Sequence, residues 1–148
     1  MIRIRRATAA DVEAIVTLLA DDHLGRKRES PADLEPYQRA FKNVDGDPNQ
    51  FLAVAEEAGE IVGTMQLSFL TGLSQRGASQ LLVQAVQVRV DRRGAGLGTQ
   101  LMNWAIEQAR QRGCSIVQLT SHSSRVDAHR FYERLGFARS HAGFKLKL

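Results

Sequence analysis

The chain has 148 residues, 43% hydrophobic and 24% charged, with twenty Lys and Arg against sixteen Asp and Glu for a formal net charge of +4. That balance fits one domain over residues 1–148 and excludes wholesale disorder, while the single cysteine, Cys114, excludes an internal disulfide and a multi-cysteine zinc site. No apolar run approaches the ~20 residues that span a bilayer, and the positive excess suits an anionic partner without selecting one.

The opening Met-Ile-Arg-Ile-Arg-Arg lacks the apolar block of a secretory signal, so a cytoplasmic protein with no membrane partner is expected. Basic residues are not gathered into a long block, so no nucleic-acid partner is expected either.

Ile2 to Arg5 reads as a first strand. Thr8 and Asp11 then open a helix whose apolar positions are Val12, Ile15, Val16 and Leu19. His23 to Glu29 is polar and reads as a loop. Ser30-Pro31 predicts the start of a second helix running to about Lys42, with Leu34, Tyr37 and Phe41 facing inward. After the turn residues Asp45 to Asn49, strands Phe51–Ala55 and Ile61–Leu70 flank Glu57-Ala58-Gly59-Glu60 as a hairpin. Leu81 to Val90 is a strand in which Val86, Val88 and Val90 alternate with Gln87 and Arg89. A helix from Leu97 to about Arg112, with Leu101, Trp104, Ala105 and Ala109 as its apolar positions, ends at Gly113. Ser115–Thr120 is a strand, Asp127–Leu135 a helix ended by Gly136, and Phe144–Leu148 a last short strand. The order βααβββαβαβ predicts an α/β (α+β) fold, a mixed twisted sheet with flanking helices.

The chemistry concentrates where a strand runs into Arg93-Gly94-Ala95-Gly96-Leu97-Gly98-Thr99 and then directly into a helix. Alternating glycines clear side chains from one surface, and the amides of a first helical turn have no intrahelical acceptors. With Arg93 adding a delocalised charge, these amides make a cradle for phosphate oxygens. The Walker pattern fails for want of a lysine, and the dinucleotide fingerprint fails because position 99 is Thr.

Arg93-x-x-Gly96-x-Gly98 resembles the acyl-CoA signature of the GNAT superfamily of N-acetyltransferases. A second signature is similar too, in Asp127-Ala128-His129-Arg130-Phe131-Tyr132-Glu133-Arg134-Leu135-Gly136-Phe137. Arg5-Arg6-Ala7-Thr8-x-x-Asp11 and Ile61-Val62-Gly63 resemble the family's first strand–helix junction and hairpin, so the likeness covers essentially the whole chain. The C-terminal run resembles bacterial small-molecule members, aminoalkylphosphonate acetyltransferases among them.

The resemblance implies a sheet whose strands around Val86–Val90 and Ile116–Thr120 splay apart to admit pantetheine. Acetyl-CoA is the implied cosubstrate, with no metal. Val86 and Val88 would offer backbone groups to the acetyl carbonyl and the pantetheine, and Arg93, Gly94, Ala95, Gly96, Leu97, Gly98 and Thr99 would hold the pyrophosphate. Direct attack by a primary amine, of a small molecule or else of a protein lysine or N-terminus, would release a thiolate that Tyr132 protonates. Two positions depart from the pattern. Gln84 stands where many relatives have a glutamate, leaving the base open among water held by Gln84, His23, Glu29 and His122. Arg125 replaces the usual asparagine, leaving its cofactor contact open. A non-catalytic acyl-CoA-binding module is the competing reading, and open strand edges allow a homodimer.

Three smaller features invite other chemistry. Ser121-His122-Ser123 lacks a nucleophile elbow. His129 and Glu133 share a helix face, and Cys114 reads as packed rather than nucleophilic.

Overall fold

The computed structural model describes residues 1–148. The chain divides into two compact units, Met1–Gln118 and Leu119–Leu148.

The first unit is built on β1 (Arg3–Arg6), β2 (Gln50–Glu57), β3 (Glu60–Thr71) and β4 (Ser79–Val88), an antiparallel meander, with β5 (Ile116–Leu119) following β4 in the sheet order. Around it run α1 (Val12–Ala20), α2 (Gly25–Arg28), α3 (Glu35–Asp45), the one-turn element α4 (Ser74–Gly77) and α5 (Leu97–Gln111). A Cβ on Gly63 would touch Leu101 of α5, whereas Gln66 lines a cavity with α1 and α3. Those helices therefore cover opposite faces of the sheet. Ile15, Val16 and Leu18 of α1, Val54, Met65, Leu67, Leu81 and Val83 of the sheet, and Leu101, Met102, Ala105 and Ala109 of α5 are buried between them. Each large side chain removed from water contributes roughly 1.5–3 kcal/mol. Trp104 is half-buried against Phe51, their ring centroids 5.3 Å apart.

Thr8 and Asp11 do open the first helical region, through a 3-10 turn at Ala9–Asp11. The Thr8 amide donates to Asp11 Oδ2 at 2.7 Å and the Thr8 hydroxyl to the same oxygen at 3.2 Å. Arg5 grips both Asp11 oxygens, at 2.7 and 3.0 Å, and reaches Glu56 at 3.1 Å. The Arg5 bonds hold the Asp11 carboxyl below its usual range, against the opposing pull of burial.

Several expected elements are displaced. Residues 23–29 contain α2, because Asp22 Oδ1 accepts the Gly25 amide at 2.6 Å and starts a turn of helix. Ser30-Pro31 lies before α3 instead of opening it: Asp33 N–H closes a turn on the Ser30 carbonyl, and Pro36 occupies the helix's first turn. β4 ends at Val88, and Val90 begins a 3-10 turn, Val90–Arg92.

The second unit holds α6 (Val126–Arg134), closed by Gly136 at φ +103°, whose amide donates to the Glu133 carbonyl. The expected strand Phe144–Leu148 does not form. Its pattern of Phe144, Leu146 and Leu148 against two lysines suits a strand with one covered face. Here Phe144 is 94% and Leu146 87% exposed, and no neighbouring strand supplies the ladder that would hold it.

No helix is long and apolar enough to cross a membrane.

Candidate active site

β4 is not a regular strand. Gln84 faces Gln66 and Gln87 faces Thr64, so Ala85 and Val86 together oppose the single residue Met65. This is a β-bulge, and Ala85 takes the left-handed φ of +55° that it requires. The bulge restarts the side-chain alternation. Gln84 and Gln87, three apart in sequence, fall on the same face of the sheet, the one covered by α1 and α3. Val88 lies opposite Gly63 and points to the α5 face.

The Arg89 amide donates to the Val62 carbonyl at 2.8 Å. By the alternation of an antiparallel ladder, the N–H and C=O of Val88 then point away from β3. On that side, four-residue β5 joins β4 near Ser79 and Gln80: Ser115 N–H donates to the Ser79 carbonyl at 2.9 Å and Gln118 Nε2 to Gln80 Oε1 at 2.7 Å. The Gln84–Val88 half of the edge lies beyond it. Arg93 Nε donates to the Val88 carbonyl at 3.1 Å, which anchors the guanidinium and leaves its two Nη groups for an anion.

Past the Val90–Arg92 turn, tied down by the ion pair of Arg92 with Glu57, the chain enters the glycine loop. Gly94 and Gly96 have φ of +79° and +87°, and Gly96 is the residue that caps α5. No side chain caps that helix end. The amides from Gly94 to Thr99 donate to no backbone or side-chain acceptor; the first amide of α5 with a partner is Gln100, bonded to the Gly96 carbonyl. A Cβ on Gly94 or Gly96 would meet nothing within 4 Å, so the surface above these amides is open. Leu97 is buried in the core, and its amide is among the unpaired donors. Consecutive unpaired amides at a helix N-terminus, beside a delocalised cation, fit a pyrophosphate. An edge whose N–H and C=O face away from β3 fits an extended diamide such as pantetheine.

The proposed bases are dispersed. Gln84 is exposed, and opposite it Gln66 is engaged with Gln50. Glu29 accepts the Tyr37 hydroxyl at 2.9 Å, His23 is exposed, and His122 Nδ1 lies 2.7 Å from Ser124 Oγ and accepts the Ser124 amide. Sequence reasoning passed over Asp22, whose Oδ2 accepts Gln87 Nε2 at 2.8 Å. The local signal was Asp22 three residues before Gly25, a capping spacing; its bond to β4 spans 65 residues of sequence.

In the second unit, Tyr132 is half-buried, its ring edge-on to Phe131 at 5.1 Å and to Phe137 at 5.9 Å. Burial pushes its phenol above the ordinary value, and the charge of Arg125 works in the opposite direction. Arg125 caps α6, and His129 Nε2 lies 2.9 Å from the His122 carbonyl. No group of three or more His, Cys, Asp or Glu is arranged to hold a metal ion. Burial raises the Cys114 thiol, against the opposing charge of Arg112. An open groove of about 400 Å³ lies along α1 and is not bounded by the Gly94–Thr99 amides.

A sheet with a bulged strand and an amide-rich helix start is compatible with the class of acyl-CoA acyltransferases. The sequence pattern of the Acetyltransferase (GNAT) family matches residues 12–137, and the chain belongs to that family: it is an acetyl-CoA-dependent N-acetyltransferase. It is 33% identical over 144 residues to the aminoalkylphosphonate N-acetyltransferase of Salmonella typhimurium, covering 95% of this chain and 88% of that one. It is 30% identical to the L-methionine sulfoximine/L-methionine sulfone acetyltransferase of Pseudomonas aeruginosa, covering 90% of this chain and 78% of the other. A solved structure from Bacillus halodurans C-125, described as a transcriptional regulator, superimposes with a TM-score of 0.96 at 45% identity over all of both chains.

Proposed function

We propose that this chain acetylates the primary amine of a small, polar, oxygen-rich molecule, with residues 1–148 acting as one catalytic domain in the cytoplasm. The observation that carries the cosubstrate half of this reading is the run of unpaired amides from Gly94 to Thr99 behind Arg93. Those amides and the Arg93 guanidinium hold the pyrophosphate, and the backbone of Val88 receives pantetheine. Val86, inside the bulge, presents its amide to the oxyanion that develops on the acetyl carbonyl. When bound, acetyl-CoA supplies the activated acetyl group. Tyr132 gives a proton to the departing thiolate, a role supported by its place in the Asp127–Phe137 signature. The acceptor half rests on the two curated relatives, whose named substrates are small amines bearing oxygenated phosphorus or sulfur. Neither nucleic acid nor a metal has a part in this reading, and a homodimer through the sheet edges is compatible with it.

The test is thiol release from acetyl-CoA across a panel of aminoalkylphosphonates, methionine sulfoximine, simple alkylamines and lysine peptides. Turnover on the small polar amines and little on peptides is expected. Binding of acetyl-CoA with no thiol release on any amine would leave the non-catalytic module. The description of the Bacillus halodurans neighbour raises a second reading, regulation of transcription. It requires salt-dependent binding to DNA that coenzyme A does not compete away.

A further inference from the structure

We infer that Arg26 and Arg28 of α2 hold an oxyanion carried by the acceptor, so that the preferred amine is one with a phosphonate group a few bonds from its nitrogen. The inference rests on the acetyltransferase reading above and adds to it the residues that recognise the end of the acceptor remote from the amine.

The run Gly25-Arg26-Lys27-Arg28 gathers three cations into one helical turn. All three side chains are exposed, and none makes an ion pair or a side-chain hydrogen bond, whereas Arg5, Arg39, Arg89 and Arg92 each meet a carboxylate. The carboxylates that flank the turn are engaged elsewhere. Glu29 accepts the Tyr37 hydroxyl at 2.9 Å, and Asp22 accepts the Gly25 amide at 2.6 Å and Gln87 Nε2 at 2.8 Å. An uncompensated positive potential is left, and it favours an anion brought from solution.

The position of α2 decides which anion. The Arg26 amide donates to the Asp22 carbonyl at 3.0 Å, so Arg26 stands one turn beyond the residue that touches Gln87. Residues four apart on a helix have Cβ atoms about 5–6 Å apart, a gap that a long arginine side chain spans. The bulge puts Gln87 on the face of Gln84, the one covered by α1 and α3. The Gly94–Thr99 amides belong instead to the start of α5, which covers the other face. The cations of α2 therefore serve the acceptor and not the phosphates of coenzyme A.

Within the turn the three cations are not equivalent. Gly25 is buried, and a Cβ there would collide with the Leu19 carbonyl, so this side of α2 presses on α1. At about 100° per residue, Arg26 and Arg28 flank that side while Lys27 points away from it. Two guanidinium groups offer planar forks of donors to a tetrahedral oxyanion. The turn is held at both ends, by Asp22 on Gln87 and by the Ser30 amide, which donates to the Tyr37 hydroxyl oxygen at 2.8 Å. Little ordering is therefore left for the ligand to impose.

The test compares 2-aminoethylphosphonate with propylamine at saturating acetyl-CoA, two amines of similar length that differ in the oxyanion. The wild type should prefer the phosphonate. The double variant Arg26→Gln/Arg28→Gln should lower kcat/KM for it about 10- to 100-fold, with propylamine and the acetyl-CoA KM unmoved. Lys27→Gln removes the same kind of charge and should change neither amine by more than about twofold. Ethylphosphonate, which has no amine to acetylate, should inhibit the wild type competitively against 2-aminoethylphosphonate, less so as KCl is added, and should not inhibit the double variant. Equal use of the two amines by the wild type, equal losses on both in the double variant, or an equal loss from Lys27→Gln would overturn the assignment. Should the double variant fail to fold, ethylphosphonate and the wild type decide alone, and absence of competitive inhibition would overturn it. A wild-type protein inert on every amine would instead remove the acetyltransferase reading on which this one stands.

Discussion

Substituting Gly96 by alanine tests the phosphate cradle with a magnitude fixed beforehand. At φ +87° a side chain enters left-handed backbone, which costs roughly 1–2 kcal/mol. No steric penalty adds to this, because the new Cβ meets nothing within 4 Å. For a domain of this length about 1 kcal/mol lowers Tm by roughly 3–4 °C, so the variant should melt about 3–8 °C lower and remain folded at 25 °C. The methyl group would stand on the surface where the Gly94–Thr99 amides wait unpaired. Losing one charge-assisted hydrogen bond to phosphate costs roughly 1.5–3 kcal/mol, which weakens coenzyme A about 10- to 100-fold. Calorimetric titration of coenzyme A against pantetheine, which lacks the pyrophosphate, separates binding from stability. Gly59→Ala is the control: Gly59 has φ +80° with equally open space, but lies in the β2–β3 turn. Both variants should lose stability, and Gly96→Ala alone should lose coenzyme A affinity while keeping that for pantetheine. Undiminished coenzyme A binding by Gly96→Ala, with its melting point lowered, would refute the placement of the pyrophosphate.

Tyr132→Phe should reduce kcat about 10- to 100-fold with the acetyl-CoA KM little changed, since it removes the one phenolic proton; burial, which raises the phenol pKa, keeps that proton in place until the thiolate forms but makes its transfer more uphill; unaltered turnover would remove Tyr132 from the reaction. Asp11 binds its proton more weakly folded than unfolded, so its contribution is complete above the ordinary carboxylate pKa and is lost as pH falls through the depressed folded value. Asp11→Asn should therefore cost about 2 kcal/mol at pH 7 and flatten the decline of Tm as the pH falls below about 4; parallel curves for variant and wild type would count against the Arg5–Asp11 linkage. Ala85→Gly should be neutral or slightly stabilising in thermal melts, where the same change in a regular strand costs about 0.5–1 kcal/mol, because Ala85 sits at φ +55°; a full loss would mean the bulge is unstrained.

Those parts of the molecule that depend on local chemistry were legible in the sequence. Glycine spacing from Gly94 to Gly98 marked the amide cradle because a backbone site is specified by the absence of side chains. The apolar period of Leu101, Ala105 and Ala109 marked the buried face of α5. The bulge was invisible, since Leu81 to Val90 alternates acceptably whether or not Ala85 is counted into the ladder; only the partner residue Met65 shows the mismatch. Asp22 was missed for a similar reason, its consequence lying in a bond to Gln87 far along the chain. Phe144–Leu148 shows the reverse error. A strand pattern needs a partner before it makes a strand.

This division follows from what each substrate offers. Coenzyme A is the same molecule in every acyltransferase, and its phosphates and amides can be met by peptide groups that any sequence possesses, provided the turn and edge are shaped correctly. The acceptor must be distinguished by charge and shape, which only side chains provide. Without Ala85 counted as an extra residue, Gln87 would face α5 with Val88's neighbours displaced by one, and Asp22 would have no contact with β4. The bulge thus sets which side chains of β4 share a face: it turns Gln87 onto the face of Gln84, where Asp22 Oδ2 accepts the Gln87 side-chain amide at 2.8 Å.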